Sequence, residues 1–214
     1  MSHGLRFAGH TIRLLPERAV WMPDAATLLI ADLHLGKGEI FRAAGIAVPS
    51  GTTAADLERL GRLIDCTGAE RLVVLGDFAH AEPAPHARWP ARFAAWRRRR
   101  ASLSIAVIAG NHDRAIVPPP DWDLEWHARP LEEGGIVHRH EPCEADPRPA
   151  FCGHLHPAVR LARGRDRMRL PCFVAGPGRL VLPAFGDWTG AHEIPRSAGR
   201  RFAVVDDVVL AVDP

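Results

Sequence analysis

The stretch ADLHLGKGE, residues 31–39, follows an apolar run, and together they predict a buried β-strand over Ala26–Ala31 that ends in charged residues. Two later apolar runs, Arg71–Leu75 and Ile105–Ala109, are predicted to be buried strands of the same kind. The segments between these strands have helical spacing: Thr52–Leu63 and Pro90–Arg100. Strands that alternate with helices pair in parallel, so this half of the chain predicts an α/β fold.

The C-terminal half has a different pattern. Short apolar segments alternate with turns and show little helical spacing, from GGIVHRHEP (134–142) to RFAVVDDVVLAVDP (201–214). Such short strands favour antiparallel pairing. No internal repeat, low-complexity linker or domain boundary interrupts the chain, so we predict one domain over residues 1–214.

The composition is that of a globular protein. The 214 residues are 47% hydrophobic and 24% charged, and no apolar stretch approaches the roughly 18 residues that a membrane span needs. The N-terminal residues lack the apolar core of a secretory signal, so we expect a cytoplasmic protein without a membrane partner. A net charge of +2 does not by itself indicate nucleic acid binding. The cysteines form no C-x-x-C pair, which suits reduced thiols: Cys66, Cys143, Cys152 and Cys172.

Chemically active side chains gather where the predicted strands end. The carboxyl ends of strands bind ligands in open α/β sheets, so these side chains are expected to converge. They are Asp32, His34, Asp77, Asn111, His112, Asp113, His140, His154 and His156. In extended backbone, residues two apart point the same way, which would pair Asp32 with His34 and His154 with His156. Leu33 and Leu155 would then point into the fold.

This cluster of ionisable groups predicts a metal site, because it would be costly without a cation. The donors are nitrogen and oxygen with no thiolate, which favours manganese, with iron or zinc as alternatives. Seven candidate ligands are too many for one ion. A bridging carboxylate, which we take to be Asp77, would hold two ions roughly 3.5 to 4 Å apart, as in enzymes that catalyse in-line displacement at phosphorus.

The same residues form an ordered set of motifs. The motifs DLH (32–34), GD (76–77), GNHD (110–113), HEP (140–142) and GHLH (153–156) resemble, in this order, the signature of the calcineurin-like metallophosphoesterases. The resemblance implies an α/β fold, a four-layer αββα sandwich with mixed sheets that carries a two-metal centre.

The resemblance also implies a role for each motif residue. One ion would be held by Asp32, His34, Asp77 and His156, and the other by Asp77, Asn111, His140 and His154. His112 would be the general acid, and Asp113 would orient it.

The flanking residues narrow the resemblance. ADLHLGK (31–37), GDFAH (76–80), HEP and GHLHP look like the PdeM branch, small bacterial phosphoesterases associated with DNA ligase, helicase and exonuclease genes. Members of that branch are regarded as manganese-dependent phosphodiesterases and DNA endonucleases. The resemblance therefore implies a DNA substrate, a link to DNA repair, and a functional association with ligase, helicase and exonuclease.

Several residues near the motifs keep more than one interpretation. Lys37 is the only lysine among 27 basic residues, so it either meets a substrate phosphate or stands there by chance. His80 either lines the substrate pocket or caps a turn. His138 shares a predicted strand face with His140 and is its rival as a ligand; we prefer His140 because it stands at the strand end. The role of His127 is open.

The segment RWPARFAAWRRRR (88–100) also has two interpretations. Its last residues, Arg97–Arg100, could contact a DNA backbone. The favoured alternative is a surface helix, because Phe93 and Trp96 lie at core-facing spacing and arginines at a helix C-terminus are favoured by the macrodipole.

Other functions stay open from the sequence. The substrate could be a nucleotide, a cyclic nucleotide, a nucleoside-diphosphate lipid precursor or a phosphoprotein. A lipid substrate would need an apolar lid, and no long amphipathic insertion is visible. A non-catalytic scaffold of the same fold is the alternative of another class, but such proteins usually lose ligands or the general acid, and this chain keeps them all.

Overall fold

The structure is a computed structural model that describes residues 1–163 and 166–212. The strands in those residues are β1 (His3–Phe7), β2 (His10–Leu15), β3 (Ala19–Met22), β4 (Thr27–Ile30), β5 (Arg71–Leu75), β6 (Ser104–Ile108), β7 (Glu125–His127), β8 (Leu131–Glu133), β9 (Ile136–His138), β10 (Ala150–Cys152), β11 (Pro157–Arg163), β12 (Asp166–Gly176), β13 (Arg179–Val181), β14 (His192–Glu193), β15 (Arg200–Val205) and β16 (Val208–Ala211). The α-helices there are α1 (Lys37–Ala43), α2 (Thr52–Thr67) and α3 (Trp89–Arg98). None of these helices is long and apolar enough to span a membrane.

The first sheet has the strand order β1-β2-β3-β4-β5-β6-β7. Its first four strands are antiparallel neighbours, and β4 to β7 are parallel. The parallel pairing predicted for the three apolar runs is therefore confirmed. Every residue of β4 is buried, as are all but the first residues of β5 and β6, which is typical of parallel strands covered on both faces.

The two predicted helices cover the outer face of the first sheet. Leu57 and Leu60 of α2 and Phe93 and Trp96 of α3 share one buried cluster with side chains of β4, β5 and β6. The predicted core-facing positions of Phe93 and Trp96 are confirmed, since they are 1% and 3% exposed. The sequence did not predict α1, because a helix of 7 residues makes only about two turns and shows no clear hydrophobic period.

The second sheet has the strand order β14-β11-β12-β13-β10-β9-β8, with β15 and β16 continuing beside β12. Most neighbours are antiparallel, as predicted, but β10 is parallel to both β9 and β13, and β11 is parallel to β14. The antiparallel prediction is thus wrong for the strands that lead to the HEP and GHLH motifs. Strands of three residues are too short for their side-chain pattern to reveal the direction of a neighbour.

The inner faces of the two sheets enclose a common core. Val73 and Ala106 of the first sheet belong to one buried cluster with Phe151, Phe173 and Phe202 of the second. This packing brings the ends of β4, β5 and β6 to the same edge of the molecule as the ends of β9 and β10.

The predicted α/β class with two mixed sheets is confirmed. The layer outside the second sheet differs from the helical layer outside the first. The outer face of the second sheet carries a small buried cluster that includes Val159 and Val174, against which Ile194 packs. The 3-10 helix Arg196–Ala198 contacts β12 beside it. Within the described residues this segment, rather than an α-helix, covers that face.

Candidate metal centre

The candidate site lies at the edge where strand ends of both sheets meet. Asp32, Asp77 and Asn111 follow β4, β5 and β6, while His140 and His154 follow β9 and β10. Main-chain hydrogen bonds join the turns: the N–H of Asp32 donates to the Gly76 carbonyl at 3.1 Å, and the N–H of His34 donates to the Asp77 carbonyl at 2.8 Å. The convergence predicted from the strand ends is present.

The backbone of the candidate ligands differs from the prediction. Five of them adopt a left-handed conformation, with φ of 54° at Asp32, 49° at His34, 47° at Asp77, 70° at His154 and 43° at His156. The extended D-x-H and H-x-H geometry is therefore wrong: Leu33 is buried at 2% exposure, but Leu155 is 38% exposed. Asp and His tolerate this conformation better than most residues, at a cost of about 1–3 kcal/mol each.

The first group of donors consists of Asp32, His34, Asp77 and His156, of which one atom each lies within 4.8 Å of the others. Nε2 of His34 is 3.7 Å from Oδ2 of Asp77, and Nε2 of His156 is 3.4 Å from Oδ1 of Asp32. Both nitrogens are buried without a hydrogen-bond partner among the described residues. Burial, followed by the charge of Lys37, lowers the pKa of His34. A neutral imidazole with a bare buried lone pair fits a divalent cation.

The second group consists of Asn111, His140 and His154, together with Asp77. Nε2 of His140 lies 3.0 Å from Oδ1 of Asn111, 3.0 Å from Nδ1 of His154 and 3.4 Å from Oδ1 of Asp77. Nδ1 of His140 is 3.0 Å from the Leu75 carbonyl, which can only accept a hydrogen. A neutral His140 therefore presents its Nε2 lone pair to two oxygens, a crowding that a shared cation relieves.

Asp77 connects the two groups. Its Oδ2 faces His34 and its Oδ1 faces His140. One carboxylate thus has an oxygen for each group, as a bridge between two ions requires. The residues present fit two divalent cations with nitrogen and oxygen ligands.

Two glycines allow this crowding. A Cβ at Gly76 would lie 2.1 Å from Nδ1 of His140, and a Cβ at Gly110 would lie 2.3 Å from Oδ1 of Asp77. No side chain fits at these distances, so the glycines of GD and GNHD are needed for close approach.

His112 stands at the rim of the site with its side chain 36% exposed. Its Nδ1 donates to the His80 carbonyl at 2.7 Å, which fixes the tautomer and leaves Nε2, 4.0 Å from Oδ2 of Asp77, for proton exchange. The Asp113 carboxylate does not contact this ring. It accepts from the main-chain N–H groups of Phe78, Ala79 and Gly110 at 2.8–3.0 Å. Asp113 therefore joins the turn after β5 to the turn after β6 that carries His112, and it does not orient the ring by direct contact as the resemblance implied.

Lys37 and His80 both lie at the site. The His80 ring stacks on His112 with centroids 4.8 Å apart, and its Nδ1 is 3.4 Å from Nδ1 of His34. Burial lowers the pKa of His80 to about 4, and Lys37 contributes. Burial also lowers the pKa of Lys37, against the opposing effect of Asp77 and Asp32.

Two further histidines that the sequence analysis considered, His127 and His138, lie away from the donors. Nε2 of His138 is 4.0 Å from Glu133, and burial lowers the pKa of His138 to about 4. His127 lies 4.0 Å from Glu125. The structure thus brings His140 to the site, while His138 faces Glu133.

A loop from residue 184 to 190 supports the first group, and no sequence pattern indicated it. The Gly186 N–H donates to the Asp32 carbonyl at 3.1 Å, and the Gly190 carbonyl accepts from Nδ1 of His156 at 3.1 Å. The latter bond leaves Nε2 of His156 free to bind a cation. An ion-pair network anchors the loop to α2: Arg18, Asp56, Arg59 and Asp187. Burial raises the pKa of Asp56 to about 6.

The arginine run at the end of α3 lies away from the site. Arg97 is 4% exposed and pairs with Asp123 at 2.6 Å, and Arg100 pairs with Asp65 at 2.9 Å. Only Arg98 and Arg99 of the run are exposed. The chain passes from this helix end to the start of β6, whereas the site follows the end of β6. These positions agree with the surface-helix interpretation that the sequence favoured.

Comparison with known proteins gives a consistent assignment. The family model for calcineurin-like phosphoesterases matches residues 26–170. A crystal structure of Pseudomonas putida nuclease MPE is 36% identical, with a TM-score of 0.87, over 99% of this chain and 100% of that chain. A protein of unknown function from Aquifex aeolicus is 19% identical over 54% of this chain and 60% of that chain, with a TM-score of 0.38. No curated protein matches.

The residues that the family model matches include all five motifs that carry the candidate ligands. The similarity to the nuclease extends over nearly the whole of both chains. The chain therefore belongs to the calcineurin-like phosphoesterase family and is a metal-dependent phosphoesterase.

Proposed function

We propose that the chain is a dinuclear phosphodiesterase that cleaves DNA internally, with manganese as its metal. The observation that carries the proposal is Asp77, whose two oxygens face two separate groups of donors. Asp32, His34, Asp77 and His156 would hold one ion, and Asp77, Asn111, His140 and His154 the other. Two divalent ions held by these residues would offset the charge of a phosphodiester and would lower the pKa of an attacking water.

The protein's own groups complete the reaction. In its protonated form, His112 is placed to give the proton on Nε2 to the departing sugar oxygen, which leaves poorly without one. The His80 carbonyl accepts from Nδ1, so the ring keeps its Nδ1 proton and becomes neutral by losing the proton on Nε2. Lys37 and the His80 ring stand beside this position and would contact the substrate phosphate.

The DNA substrate is supported by the similarity to the Pseudomonas putida nuclease over nearly the whole chain. Manganese is supported by imidazole, carboxylate and amide donors without sulfur. We extend the proposal to a single domain over residues 1–214, to the cytoplasm, and to DNA repair in association with ligase, helicase and exonuclease.

The test compares substrates under defined metals. Protein stripped by chelation is supplied with manganese, iron or zinc and given bis-p-nitrophenyl phosphate, closed circular DNA, single-stranded DNA, a cyclic nucleotide and a phosphomonoester. We expect manganese to restore activity best and circular DNA to be cut. Resistance of circular DNA, or a preference for the monoester or cyclic nucleotide, would contradict the proposal. Full activity in the stripped protein would contradict the two-ion centre.

A further inference from the structure

A cleft with a volume of about 570 Å³ opens beside the second group of donors. Asn111 and His140 form part of its wall, so the cleft is continuous with the candidate centre. A nucleic acid strand bound at the candidate centre would therefore have room to extend into the cleft.

Two of the three guanidinium groups in this cleft are not used by the fold. Three arginines line it, Arg114, Arg129 and Arg139, with two carboxylates, Glu141 and the buried Asp113. Arg139 is 9% exposed and pairs with Asp146 at 2.8 Å. Arg114 and Arg129 are exposed, and no ion pair joins either to another residue in the described parts of the chain. Two unpaired guanidinium groups beside a centre for phosphate chemistry favour the binding of a second phosphate group in the cleft.

A second groove of similar size shows the contrast. It lies between α2 and α3 and is also rich in arginine. There, too, Arg92 and Arg99 are exposed and join no ion pair in the described parts of the chain. Unpaired arginines alone therefore do not distinguish the cleft; the wall that it shares with the candidate centre does.

The rest of the cleft is apolar. Ile116, Trp126 and Pro130 line it, and Trp126 is only partly buried. An apolar and aromatic surface next to free cations suits a nucleotide, since the base packs on the surface while the phosphate meets the charge.

We propose that this cleft is a subsite for the nucleotide adjacent to the scissile phosphodiester, with Arg114 and Arg129 on that nucleotide's phosphate. The inference rests on the proposed DNA-cleaving function and adds to it the place where the neighbouring part of the strand binds.

The test uses a ratio within each enzyme. The manganese-loaded protein is assayed on a 20-residue thymidine oligonucleotide and on thymidine 5′-(p-nitrophenyl phosphate), which has one nucleoside and no neighbouring phosphate. The variant is Arg114→Gln with Arg129→Gln. Its control, Arg98→Gln with Arg99→Gln, removes the same charge from exposed positions at the far end of α3. Because folding and metal loading affect both substrates alike, the ratio of the two kcat/KM values reports the subsite.

We expect the ratio to fall about 2- to 30-fold in the cleft variant, as for the loss of two exposed ion pairs, and to stay constant in the control. In metal-free protein, the slope of log binding constant against log salt for the oligonucleotide should decrease by about 1.4 in the cleft variant. An unchanged ratio in the cleft variant, or an equal fall in the control, would overturn the subsite while DNA cleavage stands. A parent protein that hydrolyses the p-nitrophenyl ester but not the oligonucleotide would overturn DNA cleavage, and the subsite with it.

Discussion

The two groups of candidate ligands are built in different ways. In the first, Nε2 of His34 and Nε2 of His156 are buried without partners, at 3.7 and 3.4 Å from carboxylate oxygens. In the second, Nε2 of His140 is 3.0 Å from both Asn111 and His154. The nitrogens of the first group are held apart without hydrogen-bond partners, whereas the side chains of the second group contact one another. The difference teaches that one edge of a fold can arrange two groups of candidate ligands to different degrees.

The largest expected effect comes from breaking the connection between the groups. Asp77→Asn removes negative charge from both groups. Removal of one neutral group that stabilises the transition state by a hydrogen bond typically lowers kcat about 10²- to 10³-fold, so a change that affects two groups predicts a loss of about 10⁴-fold or more on every substrate. Metal content by mass spectrometry and hydrolysis of DNA and bis-p-nitrophenyl phosphate provide the measurement. Asp65→Asn, far from the site on α2, is the control. Normal activity of Asp77→Asn would separate the two groups and remove the bridge.

The next effect concerns His112, which stands at the rim of the site and belongs to neither group of candidate ligands. His112→Ala should keep most of the metal and lose about 10²- to 10⁴-fold on DNA, whose sugar oxygen needs a proton. p-Nitrophenolate leaves without that proton, so hydrolysis of its esters should be retained in large part. His86→Ala, another histidine that is exposed, is the matched control. Equal losses on both substrates with the metal intact would remove His112 from the acid role, and loss of metal would make it a ligand.

A smaller effect concerns the network that anchors the loop beside the first group. The pKa of Asp56 is about 6 in the fold, above its ordinary value, so the folded state binds more protons than the unfolded state between about pH 4 and pH 6. The free energy of unfolding should therefore fall as pH rises through this window, by about 1–2 kcal/mol from this group. Asp56→Asn should lack that fall, as measured by urea unfolding with chelator present. Glu58→Gln, exposed on the same helix, should behave as the parent protein does; a parallel profile for Asp56→Asn would contradict the prediction.

The smallest effect sharpens the comparison directly. An ion entering the second group must displace the contact between His140 and His154, and one hydrogen bond is worth about 0.5–1.5 kcal/mol, so this ion should bind about 2- to 10-fold more weakly. Calorimetric titration with manganese should show two phases. His156→Ala should weaken the tight phase and His140→Ala the other. If both variants weaken the same phase, the two groups are not distinct sites.

The sequence predicted which residues meet at the edge better than it predicted how they meet. The order of the motifs placed Asp32, Asp77 and Asn111 after three parallel strands, and that pairing is confirmed. The left-handed turns were missed because side-chain alternation describes a strand and the turns begin where the strand stops. The carbonyl that orients His112 was missed because a main-chain oxygen leaves no mark on residue type. The ligand roles themselves stay predictions.

The arginine run shows why the surface-helix interpretation was favoured. Four consecutive arginines resemble a nucleic acid contact, yet Arg97 and Arg100 form ion pairs within the fold. Arg114 and Arg129, which stand singly in the sequence, line the cleft beside the centre. Local density of charge does not predict function when the partners come from distant parts of the chain.

The left-handed backbone of five candidate ligands has a consequence for protein engineering. A designer who copies only the side chains of Asp32, His34, Asp77, His154 and His156 onto the strands of another scaffold would place them on extended backbone, and their donor atoms would point elsewhere. The transferable unit is each residue together with its turn, and with the glycines of other turns, such as Gly110 beside Asp77, that give the side chains room. Transplanting this centre therefore means transplanting loops, and a scaffold should be chosen by the shape of its strand exits before its side chains are considered.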